Sequence, residues 1–525
     1  MKRIYITLGV LLIGMIAMAY LYFSNLTIET SANDLSLTAA SADASLVFSF
    51  ENDKSFYEIL SGQDLFQEVL GETKSKQLKA LRDNLVGLPA LDQALGGQKI
   101  YIGVLPGAAT EIDFLISTQL KANADPQKIL KLLQKKQIAL TPTNNVYQLT
   151  FSDGSTCYFT VKDQLVAISN AIKPVINLAD RQKLADEKFV NYIKTNSRGT
   201  KNTLANLYIN FNQFPALLKN ILNSNLTGEL NVFNKQNSYA AFSYNFSREK
   251  LLFNGTTDLN NLNSYEQLFA NIAPQDLTIA NILPQSTANY AIYNINSYEN
   301  WHKKLTEWFV QQKENKQIDQ QINVIDQKYR LALKQTLVSY FKNQFVTFQL
   351  NTGEKFGAVA LKNGEKVNQF LMDLSSDYAP EVKIFKESNL AYAFFGTPFK
   401  KFERPFYTII DNYLVMANHA SSIQVFLSKY RNGELLINNA DYMALRDQLS
   451  TQATIVYYVN NKNSNDIFGR NLKSTYYKQY QSKSGFKDYD AFSYQLSGDN
   501  GKFLSNLLLF KKQKTIPTDS LSANP

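Results

Sequence analysis

The sequence predicts an α+β fold built as two homologous halves, each mainly antiparallel sheet with packed helices, behind one N-terminal transmembrane helix. Three observations carry that prediction. Residues 4–23 form an uncharged apolar run, strand-like segments follow one another through short turns, and stretches of the first half recur about 250 positions later.

The apolar run comes first. Met1-Lys2-Arg3 is followed by 20 residues, Ile4 to Phe23, without a charge. At ~1.5 Å per residue a helix of that length spans about 30 Å, the thickness of a bilayer's hydrocarbon core. Tyr20 and Tyr22 stand at its far end, where amphipathic rings favour the interface. No basic residue appears between Phe23 and Lys54, so the positive-inside rule keeps Lys2 and Arg3 inside and exports the rest. The competing expectation is a signal peptide cleaved after Ala19, because Ala17-Met18-Ala19 has the small-x-small form. Both expectations put the bulk in the periplasm or outside the cell.

Residues 25–41 read as a polar stalk, and the first repeat follows over residues 42–259. A strand at Leu46–Phe50 leads to Ser55-Phe56-Tyr57-Glu58, a capping-box pattern that opens a helix, with Phe56, Ile59 and Leu60 at helical spacing. Strands Lys99–Leu105 and Glu111–Leu120 flank the Pro106-Gly107 turn. A helix is expected at Pro126–Lys135, capped by Asp125 and carrying Ile129, Leu130, Leu132 and Leu133. Alternating strands follow at Val146–Phe151 and Cys157–Val161.

Residues 260–282 read as a connector before the second repeat, residues 283–512. There, Ile322, Ile325, Tyr329, Leu333, Leu337 and Tyr340 trace one long helical stripe. Strands Phe345–Leu350 and Phe356–Leu361 repeat the two-strand step. The tail, 513–525, combines Pro, Ser, Asp and Asn without periodicity and reads as disordered.

The duplication rests on ordered echoes. Tyr239-Ala240-Ala241-Phe242-Ser243-Tyr244 returns as Tyr489-Asp490-Ala491-Phe492-Ser493-Tyr494, and Leu207-Tyr208-Ile209-Asn210 as Tyr457-Tyr458-Val459-Asn460. Val161-Lys162-Asp163-Gln164-Leu165-Val166 matches Ile409-Ile410-Asp411-Asn412-Tyr413-Leu414 at a nearly equal offset. A weaker likeness joins Phe48 to Tyr293. A repeat this long is a duplicated domain, not a solenoid unit.

Composition bounds the chemistry. The net charge is +9, but the basic residues are scattered and form no long run, so no nucleic-acid partner is expected. One cysteine and two histidines exclude a disulfide framework and make a zinc site of the usual kind unsupported. No cofactor is expected. Gly353-Glu354-Lys355-Phe356-Gly357 and Gly498-Asp499-Asn500-Gly501-Lys502 lack phosphate-loop spacing and read as hairpin turns. No G-x-S-x-G elbow occurs. Cys157 reads as a buried strand residue, His302 as the margin of a helix whose buried stripe is Trp301, Leu305 and Trp308, and Asp163/Asp411 as turn formers. Asp488 and Asp490 are not both reproduced in the first half. The sequence thus assigns no catalytic, cofactor-binding or metal residue.

The N-terminal anchor, the alternation of short helices with paired strands, and the hairpin around Asp163 resemble a family of uncharacterised exported bacterial proteins, described only as a domain of unknown function. That resemblance implies an envelope protein and supplies no family catalytic residue. The expectation is a membrane-anchored, non-enzymatic binding or scaffold protein, with an envelope protein or lipid as partner. An apolar-ligand carrier is the alternative, and a hydrolase using paired carboxylates the third reading.

Overall fold

The computed structural model describes residues 34–52, 72–85, 93–121, 124–127, 131, 139–143, 146–179, 186–197, 203, 205–223, 237–246, 250–259, 263–482 and 485–511. The expected membrane helix 4–23, the cleavage position after Ala19, the helix opening at Ser55 and the tail 513–525 lie outside them. Of the expected helix at 126–135, only Pro126, Gln127 and Lys131 are described, all helical, with the Gln127 amide donating to the Asp125 carboxylate at 2.9 Å. No helix among the described residues is long and apolar enough to cross a membrane. The fold is α+β with a large antiparallel sheet.

Two compact units divide the chain near residue 206, with two short stretches, 59–76 and 106–112, grouped with the second. In the first unit, helix α1 (Leu35–Ser41) is capped by Asp34, whose carboxylate accepts from the Leu37 amide at 2.9 Å. Then come β1 (Leu46–Glu51), α2 (Glu72–Leu85), β2 (Lys99–Pro106), β3 (Ile112–Gln119), β4 (Ala139–Thr143), β5 (Val146–Thr150), β6 (Thr156–Lys162) and β7 (Leu165–Ser169). Helices α3 (Ile172–Ala179) and α4 (Glu187–Asn196) follow. The strands lie in the order β1–β2–β3–β7–β6–β5–β4, with Phe48 opposite Ile102 and Ile116 opposite Ile168.

The chain continues through β8 (Asn206–Asn210), α5 (Phe214–Ile221) and the hairpin β9 (Ser238–Phe246) and β10 (Lys250–Leu259). The short pair-forming segment β11 (Gln275–Asp276) precedes β12 (Thr287–Asn294). Three helices intervene, α6 (Tyr298–Gln311), α7 (Asn315–Tyr329) and α8 (Leu333–Tyr340), before β13 (Phe341–Leu350) and β14 (Lys355–Leu361). Next are α9 (Gly364–Phe370), β15 (Ser375–Ala379), β16 (Val382–Phe385), α10 (Leu390–Phe395), β17 (Phe406–Ile410) and β18 (Tyr413–Ala417). Helices α11 (Ala420–Arg431) and α12 (Ala440–Arg446), the short β19 (Gln452–Ala453), β20 (Ile455–Asn460), α13 (Asn461–Asn471), α14 (Ser474–Gln481) and the hairpin β21 (Ala491–Asp499) and β22 (Lys502–Phe510) complete the unit. Its strands run β9–β10–β22–β21–β20–β12–β13–β14–β18–β17–β16–β15, antiparallel at every step.

Because successive side chains of a strand point to opposite faces, this sheet is buried on both sides where neighbouring residues are both apolar. Tyr293, Phe345, Ile455 and Phe503 face a core that includes Trp301, Leu305, Ile322, Leu337 and Phe395 from the helices. Ile292, Val346, Phe348 and Tyr458 face a second core with Phe426 of α11 and Tyr442 of α12. The result is a helix–sheet–helix sandwich, the arrangement a two-sided apolar sheet requires.

Several expected boundaries change. The stripe from Ile322 to Tyr340 is not one helix. Arg330 adopts the left-handed conformation (φ 54°) that ends α7, and the Asp326 carboxylate accepts from the Leu333 amide at 2.9 Å as α8 begins. The stripe survives because both helices bury their apolar sides in the same core. Strand β13 starts four residues before the expected Phe345. Residues 35–41 of the expected polar stalk are packed helix, with Leu37, Ala39 and Ala40 buried against the first unit. The expected connector is core as well, since Tyr265, Phe269, Ile279 and Ile282 are buried.

Candidate functional site

Tight turns account for both Asp163 and Asp411. At the β6–β7 hairpin Asp163 and Gln164 have φ values of 47° and 69°, and at the β17–β18 hairpin Asp411 and Asn412 have 45° and 63°. Positive φ at both central residues is what a type I′ hairpin requires. Asp411 also accepts from the Tyr430 hydroxyl at 2.8 Å, and the Asn412 side-chain oxygen accepts from the Gly364 amide at 2.7 Å. These side chains hold turns in place. The two glycine-containing stretches are turns as read: Asn500-Gly501 (φ 51° and 88°) closes β21–β22, and Gly353 (φ 106°) closes β13–β14.

Cys157 lies buried in β6 opposite Leu149, and burial pushes its thiol up to about 12, with Asp153 adding to the effect. A thiol held protonated is a poor nucleophile. His302 is stacked between Tyr298 and Phe394, at ring-centroid distances of 5.6 and 5.7 Å. Burial, helped by Lys334, pulls it down to about 4, so it is neutral at pH 7. His419 is exposed at the start of α11. Asp488 is exposed beside Lys511, with 4.0 Å between charged atoms.

One acid stands apart. Glu266 sits in a one-turn strap, the 3-10 helix Tyr265–Phe269, and is only 4% exposed. The strap is anchored on both sides. Tyr265 Oη donates to the Phe395 carbonyl at 2.6 Å, Trp308 Nε1 donates to the Asn263 carbonyl at 2.9 Å, and Gly501 N donates to the Ala270 carbonyl at 3.3 Å. Burial pushes the Glu266 carboxyl up to about 7. Among the described residues it joins no ion pair. Its charge bears instead on Tyr265 and Tyr457, both held far above the usual phenol range, chiefly by burial.

Tyr457 extends from β20 opposite Tyr494 of β21, the rings stacked at 6.3 Å, and its hydroxyl is buried. The Tyr494 hydroxyl pairs with Thr257 Oγ1 at 2.7 Å, to which Ser505 Oγ donates at 2.8 Å. Period-2 alternation explains the row: Tyr457, Tyr494, Ser505 and Thr257 share one face of β20, β21, β22 and β10. The outcome is a row of hydroxyls on one sheet face, with the charge of Glu266 acting on Tyr457 at its end.

Chemically, this cluster can hold a proton and hydrogen-bond a buried polar group. It contains neither a base oriented against a nucleophile nor a second carboxylate at the spacing that paired-acid chemistry uses. Among the described residues, no group of three or more His, Cys, Asp or Glu side chains could hold a metal ion. Sequence reading passed over Glu266 because the segment reads as a connector. The signal was a single acid inside the run Tyr265-Glu266-Gln267-Leu268-Phe269, whose neighbours have the apolar character of buried chain.

No protein-family model matches the chain, and no curated protein or solved structure matches it.

Proposed function

We propose that this chain is a non-catalytic binding or scaffold protein of the bacterial cell envelope, tethered to the membrane through residues 4–23, with an exported body made by duplicating one α+β domain. The observation that carries the reading is the shared order of strand pairing. The run β1–β2–β3–β7–β6–β5–β4 has the same succession as β12–β13–β14–β18–β17–β16–β15, strand for strand in chain order. The counterparts also carry the sequence echoes, since Val161 faces Val166 as Ile409 faces Leu414. Helix α3 follows β7 as α11 follows β18, and each half ends in a hairpin, β9–β10 or β21–β22. Those two hairpins meet through β10 and β22, where Asn254 lies opposite Asn506. Conservation of scaffold and turn residues, with no acid–base pair repeated, favours binding over catalysis.

Two measurements test the proposal. In an experimental structure, Phe48, Val161 and Val166 should superpose on Tyr293, Ile409 and Leu414; a different register would end the duplication reading. For the envelope role, the full chain should fractionate with membranes and crosslink there to one reproducible partner. Recovery in the cytosolic fraction, or the absence of a specific crosslink, would count against it.

A further inference from the structure

We draw no further inference here: the strongest candidate, the Glu266 carboxyl beside the Tyr457 hydroxyl beneath the sheet face of β20–β21–β22, belongs to the site already described, and nothing in the structure shows what ligand would reach it.

Discussion

The seven-strand run of the first unit and its counterpart in the second pair in one order, yet they bury different side chains. The second is packed against aromatic rings: Trp301 lies 5.3 Å from Phe345, which lies 5.3 Å from Phe395. Leu105, Leu115, Val146, Ala167, Val175 and Ala179 make one aliphatic cluster of the first. A common order over different side chains, with Phe114, Phe159 and Phe189 also buried in the first unit, teaches that pairing is specified by strand periodicity and turns. Core composition then sets how much each run is stabilised, because cores tolerate exchange of apolar residues when volume and pattern are kept.

The largest expected effect comes from removing the ring at the centre of the aromatic core. Trp301→Ala should cost about 3–5 kcal/mol, the usual range for truncating a buried tryptophan. Denaturant unfolding followed by circular dichroism would measure it. Val175→Ala in the aliphatic cluster deletes fewer atoms and should cost clearly less; equal losses would mean that the size of the deleted side chain does not set the difference.

Ionisation distinguishes the second unit further. Glu266 is protonated in the folded protein up to about pH 7, whereas an unfolded glutamate ionises near 4.5. Between those values the native state binds the extra proton, so stability falls as pH rises and levels off above pH 7. The total is about 3 kcal/mol at the usual free-energy equivalent of a pKa change. Glu266→Gln should abolish that slope and stabilise the protein at pH 8. His302 acts in the opposite direction. Its lowered value means that stability falls as pH drops from about 6.5 towards 4, and His302→Gln should flatten that limb. Stability curves of the two variants from pH 4 to 8 would check both signs.

The strap that carries Glu266 can be tested through its seat. A Cβ at Gly498 would collide with the Ile272 carbonyl oxygen and lie 2.7 Å from that of Phe269. Gly498→Ala should therefore cost about 1–3 kcal/mol by overpacking. An unchanged thermal midpoint would mean that the strap shifts freely.

The smallest effects come from the paired hairpins. Gln164 occupies a left-handed position, as Asn412 does at the β17–β18 turn. Asparagine tolerates that conformation better, so Gln164→Asn should stabilise by roughly 0.5 kcal/mol, within the ~1–2 kcal/mol that left-handed backbone costs an ordinary residue. Asn412→Ala should lose about 1 kcal/mol, since it also removes the acceptor for the Gly364 amide. A destabilising Gln164→Asn would show that the two turns do not share that backbone requirement.

The strands and turns were legible because their signals are local. Asp-Gln and Asp-Asn between apolar runs specify a tight hairpin, and both adopt it. The break between α7 and α8 was not legible, because apolar spacing continues across Arg330 while the backbone changes direction. Neither was the burial of Glu266 or of residues 35–41. A short segment carries too few residues to reveal its face, and its burial depends on partners distant in sequence, such as Phe395 and Trp308 for the strap.

By itself the sequence determined the α+β class, the antiparallel hairpins, the turn role of Asp163 and Asp411, and the inert strand position of Cys157. These follow from side-chain alternation and backbone preferences that act within a few residues. Only tertiary structure decided that β10 joins β22, that the sheet of the second unit is covered on both faces, and that Glu266 is sealed among tyrosines. Those outcomes depend on contacts between distant segments, where burial in a low-dielectric interior changes what a polar group can do.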